Sequence, residues 1–255
     1  MNAAAQRQRG GRGRADATGL APSVCRWVAL TIALVGSTGC STAVVRRSVE
    51  RRVVARLPEI LGPAERYRVE IRGSRDPELV RGRVKHLEIE GIGIRARDQF
   101  DLRRLTLSID GLRYEGVEPY VVSIEQSRLV IEFTDQALND YLQARRARYE
   151  PRVRFGNDRV EVALTYPFLG KPTPLTAAGH FRIEDGKRLV FVATEAQVPF
   201  LPNQPEFQHK FVEERVNPLL DLGRIEFPAR LDSIRLSPGL LTAQGSAVVP
   251  RPPDS

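Results

Sequence analysis

From residue 42 onward the apolar positions keep changing period, and each change predicts an element. Val45, Val49, Val53 and Leu57 recur every four residues, which places them on one face of a helix over 42–61. Arg47 and Arg51 fall elsewhere on it, and Pro58 is expected to end or kink it. From residue 67 the period is two. Tyr67, Val69 and Ile71 alternate with Arg68, Glu70 and Arg72; Leu87 and Ile89 alternate with Glu88 and Glu90; Leu105, Leu107 and Ile109 alternate with Thr106, Ser108 and Asp110. These are half-buried strands of an antiparallel sheet. Turn residues separate them at Gly73 to Pro77, at Gly91 and Gly93, and from Gly116 to Pro119.

A strand through Leu129, Ile131 and Phe133 runs into Thr134 and Asp135. Thr134 suits a helix N-cap, and Asp135 suits the positive end of the helix. Ala137, Leu138, Tyr141 and Leu142 form the apolar face of that helix, and Arg145, Arg146 and Arg148 fit its end and a solvated turn. A second strand set follows. Val160, Val162, Leu164 and Tyr166 alternate with polar or small residues, then Leu175, Ala177, Gly179, Phe181 and Ile183 do the same. The run Leu189 to Val192 is apolar on both faces, so it is expected to be buried on both. Helical spacing returns over 206–222 with Phe207, Phe211, Val212, Val216, Leu219 and Leu220, distorted late at Pro218. Two last strands run through Leu231–Leu236 and Leu240–Val249. The reading is α+β with long antiparallel strands, one domain over 42–250, and a frayed Pro-rich tail at 251–255.

The 255 residues carry a net charge of +8. Residues 1–39 hold five Arg and one Asp, or +4 of it, so the rest is only mildly basic. That leaves an ordinary mixed surface and argues against nucleic-acid binding. The stretch Gln6 to Arg14 resembles an arginine-glycine RNA-binding tail, but it precedes an export signal. That signal is the uncharged run Trp27 to Val35 after Arg26, the length of a signal-peptide core and too short for a membrane span. The basic stretch before it reads as an overlong leader, or as a start further along at Leu20 or Val24. Gly36 to Gly39 lead into Cys40 and Ser41, which looks like a bacterial lipobox. Ser37 stands where such a box usually has Leu. Cys40 is the expected lipidation site, and residues 1–40 the export segment. The protein is then expected on the periplasmic side of the cell envelope, held to a membrane through Cys40.

Chemistry is sparse. The two cysteines, Cys25 and Cys40, both precede residue 41, which excludes a disulfide framework or thiolate metal site in the body. His86, His180 and His209 have no neighbour at metal-ligand spacing. The Gly91–Ile94 pair of glycines fits a bulge or turn better than a dinucleotide loop, and Gly-x-Ser-x-Gly is absent. No catalytic residue, metal or cofactor is assigned, and the protein is read as a non-enzyme.

The order Leu57 to Ala64, strand Tyr67–Gly73, strand near Leu87–Gly91, junction Phe133 to Asn139, segment Asn217 to Leu222, then Phe227-Pro228 resembles the LmeA-like phospholipid-binding family. The resemblance spans about residues 45–249 and lies in order and spacing, with no single diagnostic motif. It implies a tubular lipid-binding (TULIP-type) fold, a long curved antiparallel sheet wrapped by two or three amphipathic helices, with phospholipid as ligand and no catalytic residues. An acyl chain needs length and apolar walls, since each buried CH₂ is worth roughly 0.8 kcal/mol. The expected lipid-binding residues are Leu87, Ile89, Leu105, Leu107, Ile109, Val160, Val162, Leu164, Phe191, Phe211 and Val216. The competing expectation is an envelope lipoprotein with a filled core that works as a structural or adaptor module through a protein partner. Core and tunnel are lined by the same residue types, so sequence leaves both open.

Overall fold

The computed structural model describes residues 42–95, 101–115, 120–217, 219–221 and 229–247. Cys40, the export segment 1–40, Phe227-Pro228 and the tail 251–255 lie outside the described residues. The first helix, α1 (Thr42–Leu61), is the one that four-residue spacing predicts. Val49, Val53 and Leu57 are buried, and the helix lies against strand β1 (Arg66–Arg72), so its apolar stripe faces the core. Pro58 does not end it; one further turn runs to Leu61, where Gly62 N–H donates to the Pro58 carbonyl at 3.1 Å. No described helix is long and apolar enough to cross a membrane.

The chain continues with α2 (Asp76–Val80), β2 (Arg83–Ile94), β3 (Leu102–Glu115), β4 (Tyr120–Ser123) and β5 (Gln126–Thr134). Then come α3 (Asp135–Arg146), a 3₁₀ turn at Ala147–Tyr149, β6 (Arg152–Phe155), β7 (Val160–Phe168), β8 (Lys171–Glu184) and β9 (Arg188–Gln197). It closes with α4 (Pro205–Val216), β10 (Leu220–Asp221), β11 (Ala229–Ser237) and β12 (Leu240–Ala247). The α+β reading holds, and the strands divide between two antiparallel sheets. One has seven strands in the order β1-β2-β3-β5-β12-β11, with β4 on the far end of β3; the other runs β10-β9-β8-β7-β6.

Register turns the period-two pattern into a surface. Val69, Ile89, Leu107, Leu129, Gly245 and Leu231 stand side by side across six strands. The next row is Tyr67, Gly91, Leu105, Ile131, Ala243 and Ile234. The opposite face is charged, with Arg72 bridging Glu70 and Glu88 and Arg104 facing Glu90. A sheet with one apolar and one charged face buries only the first. The two sheets meet through rings: Phe155 lies edge-on to Phe133 at 6.0 Å and to Phe181 at 5.7 Å. Backbone bonds tie them further, Leu231 N–H to the Gly186 carbonyl and Gly239 N–H to the Phe155 carbonyl.

Helix ends explain the junctions. Thr134 is the N-cap of α3, its Oγ1 accepting from Ala137 N–H at 3.2 Å. Thr134→Ala should lower unfolding free energy by about 1 kcal/mol in urea titration, with ordinary two-state behaviour kept. The final helix stops at Val216 rather than running to 222. Asn217 is extended, as the residue before a proline favours, and Leu220 enters β10.

Helix side chains close the five-stranded sheet along β6 at one edge and, at the other, along the part of β9 that the two-residue strand β10 leaves uncovered. On α3, Asp135 Oδ2 accepts from Phe155 N–H at 3.3 Å; Asn139 accepts from Val153 N–H at 2.6 Å and donates to its carbonyl at 2.9 Å. At the end of α4, Glu213 Oε1 accepts from Ala193 N–H at 2.8 Å. Asn217 accepts from Phe191 N–H at 2.7 Å and donates to its carbonyl at 2.8 Å. Each pair is a carboxylate and an asparagine four residues apart, matching two strand residues two apart. A primary amide presents the same donor and acceptor as a peptide, so each asparagine stands in for one residue of a missing strand. Arg146 joins the two caps by donating to the carbonyls of Arg215 and Asn217.

Candidate functional site

Of the eleven residues expected to contact lipid, nine fall on the inner faces of the two sheets and two on α4, which covers one of them. Leu87, Ile89, Leu105, Leu107 and Ile109 sit on β2 and β3, where Leu87 pairs with Ile109 and Ile89 with Leu107. Val160, Val162 and Leu164 sit on β7 and Phe191 on β9; Phe211 and Val216 sit on α4. All but Phe211 are at most 6 % exposed, and all belong to one contiguous apolar cluster. The structure therefore brings these side chains into a single interior and packs them against each other and against the covering helices. Of the run Leu189 to Val192, expected to be buried on both faces, Leu189, Val190 and Phe191 are buried and Val192 is half-buried.

Phe211 belongs to an aromatic ladder. Its ring is 5.3 Å from Tyr166 and 5.4 Å from Phe200; Phe200 stacks on Phe168 at 4.3 Å, and Tyr166 stacks on Tyr149 at 6.0 Å. The Arg215 guanidinium lies over both Tyr166 and Phe211. Periodicity cannot reveal this ladder, because its rings come from β7, the turn after α3, the loop after β9 and α4.

A surface groove of about 780 Å³ crosses the five-stranded sheet beside α3. Its floor is small side chains, Ala163, Ala177, Ala178 and Ala196, with Val153 and Val162; Asn139, Gln143, Arg152, Arg154, Arg159 and Glu195 supply its polar wall. Arg159 donates to both Glu195 oxygens at 3.1 and 2.9 Å and holds the Glu195 carboxyl below the usual carboxylate range. Of the expected lipid contacts only Val162 reaches this groove. A smaller cleft of about 300 Å³ lies where β8 and β9 meet the end of α4, lined by Val190, Phe191, Val192, Glu213 and Asn217 with the charged Arg182, Glu184 and Arg188. The sequence missed the groove because β6 has only Val153 and Phe155 as an apolar signal.

The histidines offer little chemistry. His86 Nδ1 meets Asp110 Oδ1 at 2.6 Å across β2 and β3, on the charged face. His180 is exposed in β8 and His209 lies on α4. The Gly91–Ile94 segment is part of strand β2, with Gly91 letting the Tyr67 ring approach and Gly93 at φ +61°. Among the described residues no three His, Cys, Asp or Glu side chains are grouped as metal ligands.

No curated protein and no solved structure matches this chain. The family model described as LmeA-like phospholipid-binding matches residues 41–246, most of the chain. That family is a binding family, and its ligand class is phospholipid. With its α+β fold and apolar sheet faces, the chain belongs to the LmeA-like phospholipid-binding family.

Proposed function

We propose that this protein shelters phospholipid acyl chains along the inner faces of its sheets and carries lipid at the bacterial cell envelope, held on the periplasmic side by a lipid on Cys40. The observation that carries the reading is the unbroken apolar surface of the seven-stranded sheet in a member of a phospholipid-binding family. An acyl chain laid across Leu87, Ile89, Leu105, Leu107 and Ile109, or along Val160, Val162, Leu164 and Phe191 beneath Phe211 and Val216, exchanges side-chain contacts for methylene contacts of the same kind. These residues are closed over by their neighbours, so lipid uptake on this reading requires the helix layer to move outward. The cleft between β9 and α4, which already reaches Phe191, is where that movement would begin.

The near-complete burial of ten of the eleven residues favours a second reading, a filled core serving as an adaptor for a protein partner. One measurement separates the two. Residues 41–255, exported to a bacterial periplasm and purified without detergent, should show a stoichiometric phospholipid adduct in native mass spectrometry. A phospholipid with a photoactivatable chain should then label peptides containing Leu105–Ile109 or Val160–Leu164. Bare protein mass, with no lipid taken up from added vesicles, would reject acyl-chain binding and turn the search to a protein partner.

A further inference from the structure

The β7–β8 hairpin departs from ordinary turn chemistry. Its two-residue turn is Leu169-Gly170, both in the left-handed region at φ 50° and 76°. Such a turn favours Asn-Gly or Asp-Gly, and a leucine there is strained. Leu169 is also 87 % exposed, the largest value among the exposed large apolar residues described. Folding gains nothing from this arrangement, so its use is expected outside the folded interior.

Leu169 is not isolated. Of the five exposed large apolar side chains described, Phe168 at 38 %, Leu169 and Phe207 at 60 % lie at this end of the molecule. Phe168 stacks on Phe200, which contacts Phe211. Phe207 is one turn before Phe211 on the same face of α4. Pro167, Pro172 and Lys171 in the hairpin are exposed too, and from Tyr166 to Pro174 it carries no carboxylate. Arg148 and Arg215 sit over rings of the ladder, and Lys210 lies on α4; Glu150 bonds Thr165 on β7, and α4 carries Glu206, Glu213 and Glu214. Exposed rings and a leucine, backed by an aromatic ladder and carrying a cation within the tip, match a bilayer interface, where apolar ends enter and cations meet phosphates. Three part-exposed side chains present far less area than the roughly 800 Å² per partner of a stable protein interface, which argues against a second protein.

We propose that the β7–β8 hairpin, together with the first turn of α4, docks this protein on an anionic phospholipid bilayer, with Phe168, Leu169 and Phe207 entering the interface and Lys171 meeting lipid phosphates. The choice of a phospholipid surface rests on the lipid-binding reading; the docking tip rests on the exposed residues themselves.

The test uses the full chain. Its only thiols are Cys25 and Cys40, so Cys25→Ser/Cys40→Ser removes both the expected acyl anchor and competing labels. Leu169→Cys in that background is labelled with a polarity-sensitive fluorophore, and Val80→Cys, exposed on α2 beside the other sheet, is labelled in parallel. Vesicles of phosphatidylcholine and phosphatidylglycerol at 3:1 should shift emission to the blue from position 169 and leave position 80 unchanged. Lys171→Gln should weaken the vesicle titration about fivefold, the weight of one cation at an anionic surface. Phe168→Ser/Phe207→Ser should weaken it at least tenfold. No shift at position 169, equal shifts at 169 and 80, or unchanged titration in the Phe168→Ser/Phe207→Ser variant would each overturn the proposal. Lipid retained in native mass spectrometry without a shift at 169 would reject docking and keep acyl-chain binding. A shift at 169 with no lipid retained would keep docking and reject acyl-chain binding.

Discussion

Phe155→Ala is expected to lower the unfolding free energy by about 3–5 kcal/mol, a large share of the roughly 5–15 kcal/mol that holds a domain folded. Phe155 comes from a short edge strand, yet it is only 2 % exposed and contacts a ring from each sheet, Phe133 and Phe181. Truncation removes buried area and leaves a gap that two sheets tied by backbone bonds at Gly186 and Gly239 cannot close easily. Urea titration should show the midpoint falling by about 2 M if the slope is near 2 kcal/mol per M. Combined with Phe133→Ala, the double variant should show a coupling of about 0.5–1.5 kcal/mol. A loss below about 1.5 kcal/mol for the single variant, or simple additivity, would mean that this ring does not key the sheets together.

Asn217→Leu is expected to cost about 2–4 kcal/mol and to make the protein associate. The side chain is replaced by one of similar size, but Phe191 loses the partner of both its N–H and its carbonyl. Each orphaned backbone group costs about 1–3 kcal/mol. The freed edge of β9 also becomes a template for another strand, so light scattering should rise with protein concentration. Glu213→Gln is the informative control: its amide oxygen can still accept from Ala193 N–H, and a change under about 0.5 kcal/mol is expected. If Asn217→Leu were as stable and as monomeric as the parent chain, the amide would not be closing the sheet. Asn139→Leu should behave the same way at the opposite edge, where Asn139 bonds both backbone groups of Val153.

The segments that carry the family resemblance gain a physical meaning from these contacts. Phe133 to Asn139 holds one edge cap and Asn217 begins the segment that holds the other. Their chain order was legible in the sequence; their task was not, since an asparagine at a helix end reads locally as a cap or turn residue. Strand β6 was missed because only Val153 and Phe155 alternate with arginine. The helix α2 replaced an expected turn, since Pro77 and Asp76 serve the first turn of a helix as well as they serve a loop. Phe207 follows the helical period yet is exposed, because nothing in the spacing says where the core under α4 ends.

What the sequence determined by itself is the set of faces. The four-residue period of Val45, Val49, Val53 and Leu57, and the two-residue period of Tyr67–Ile71, Leu87–Ile89 and Leu105–Ile109, decide which side chains leave water; all of them are buried except Val45 and Tyr67, at the ends of their stripes, which are half-buried. That follows from backbone geometry, which is local, and from the cost of hydrating apolar surface. The tertiary structure alone decided which faces meet. Ser127 bonds Ala247 across 120 residues of chain, and Leu129 stands beside Gly245. The exposed tip at Leu169 and the ladder behind it likewise draw on four separate segments. Such contacts depend on how the whole chain satisfies its backbone bonds and fills its interior at once, and no window of sequence contains that sum.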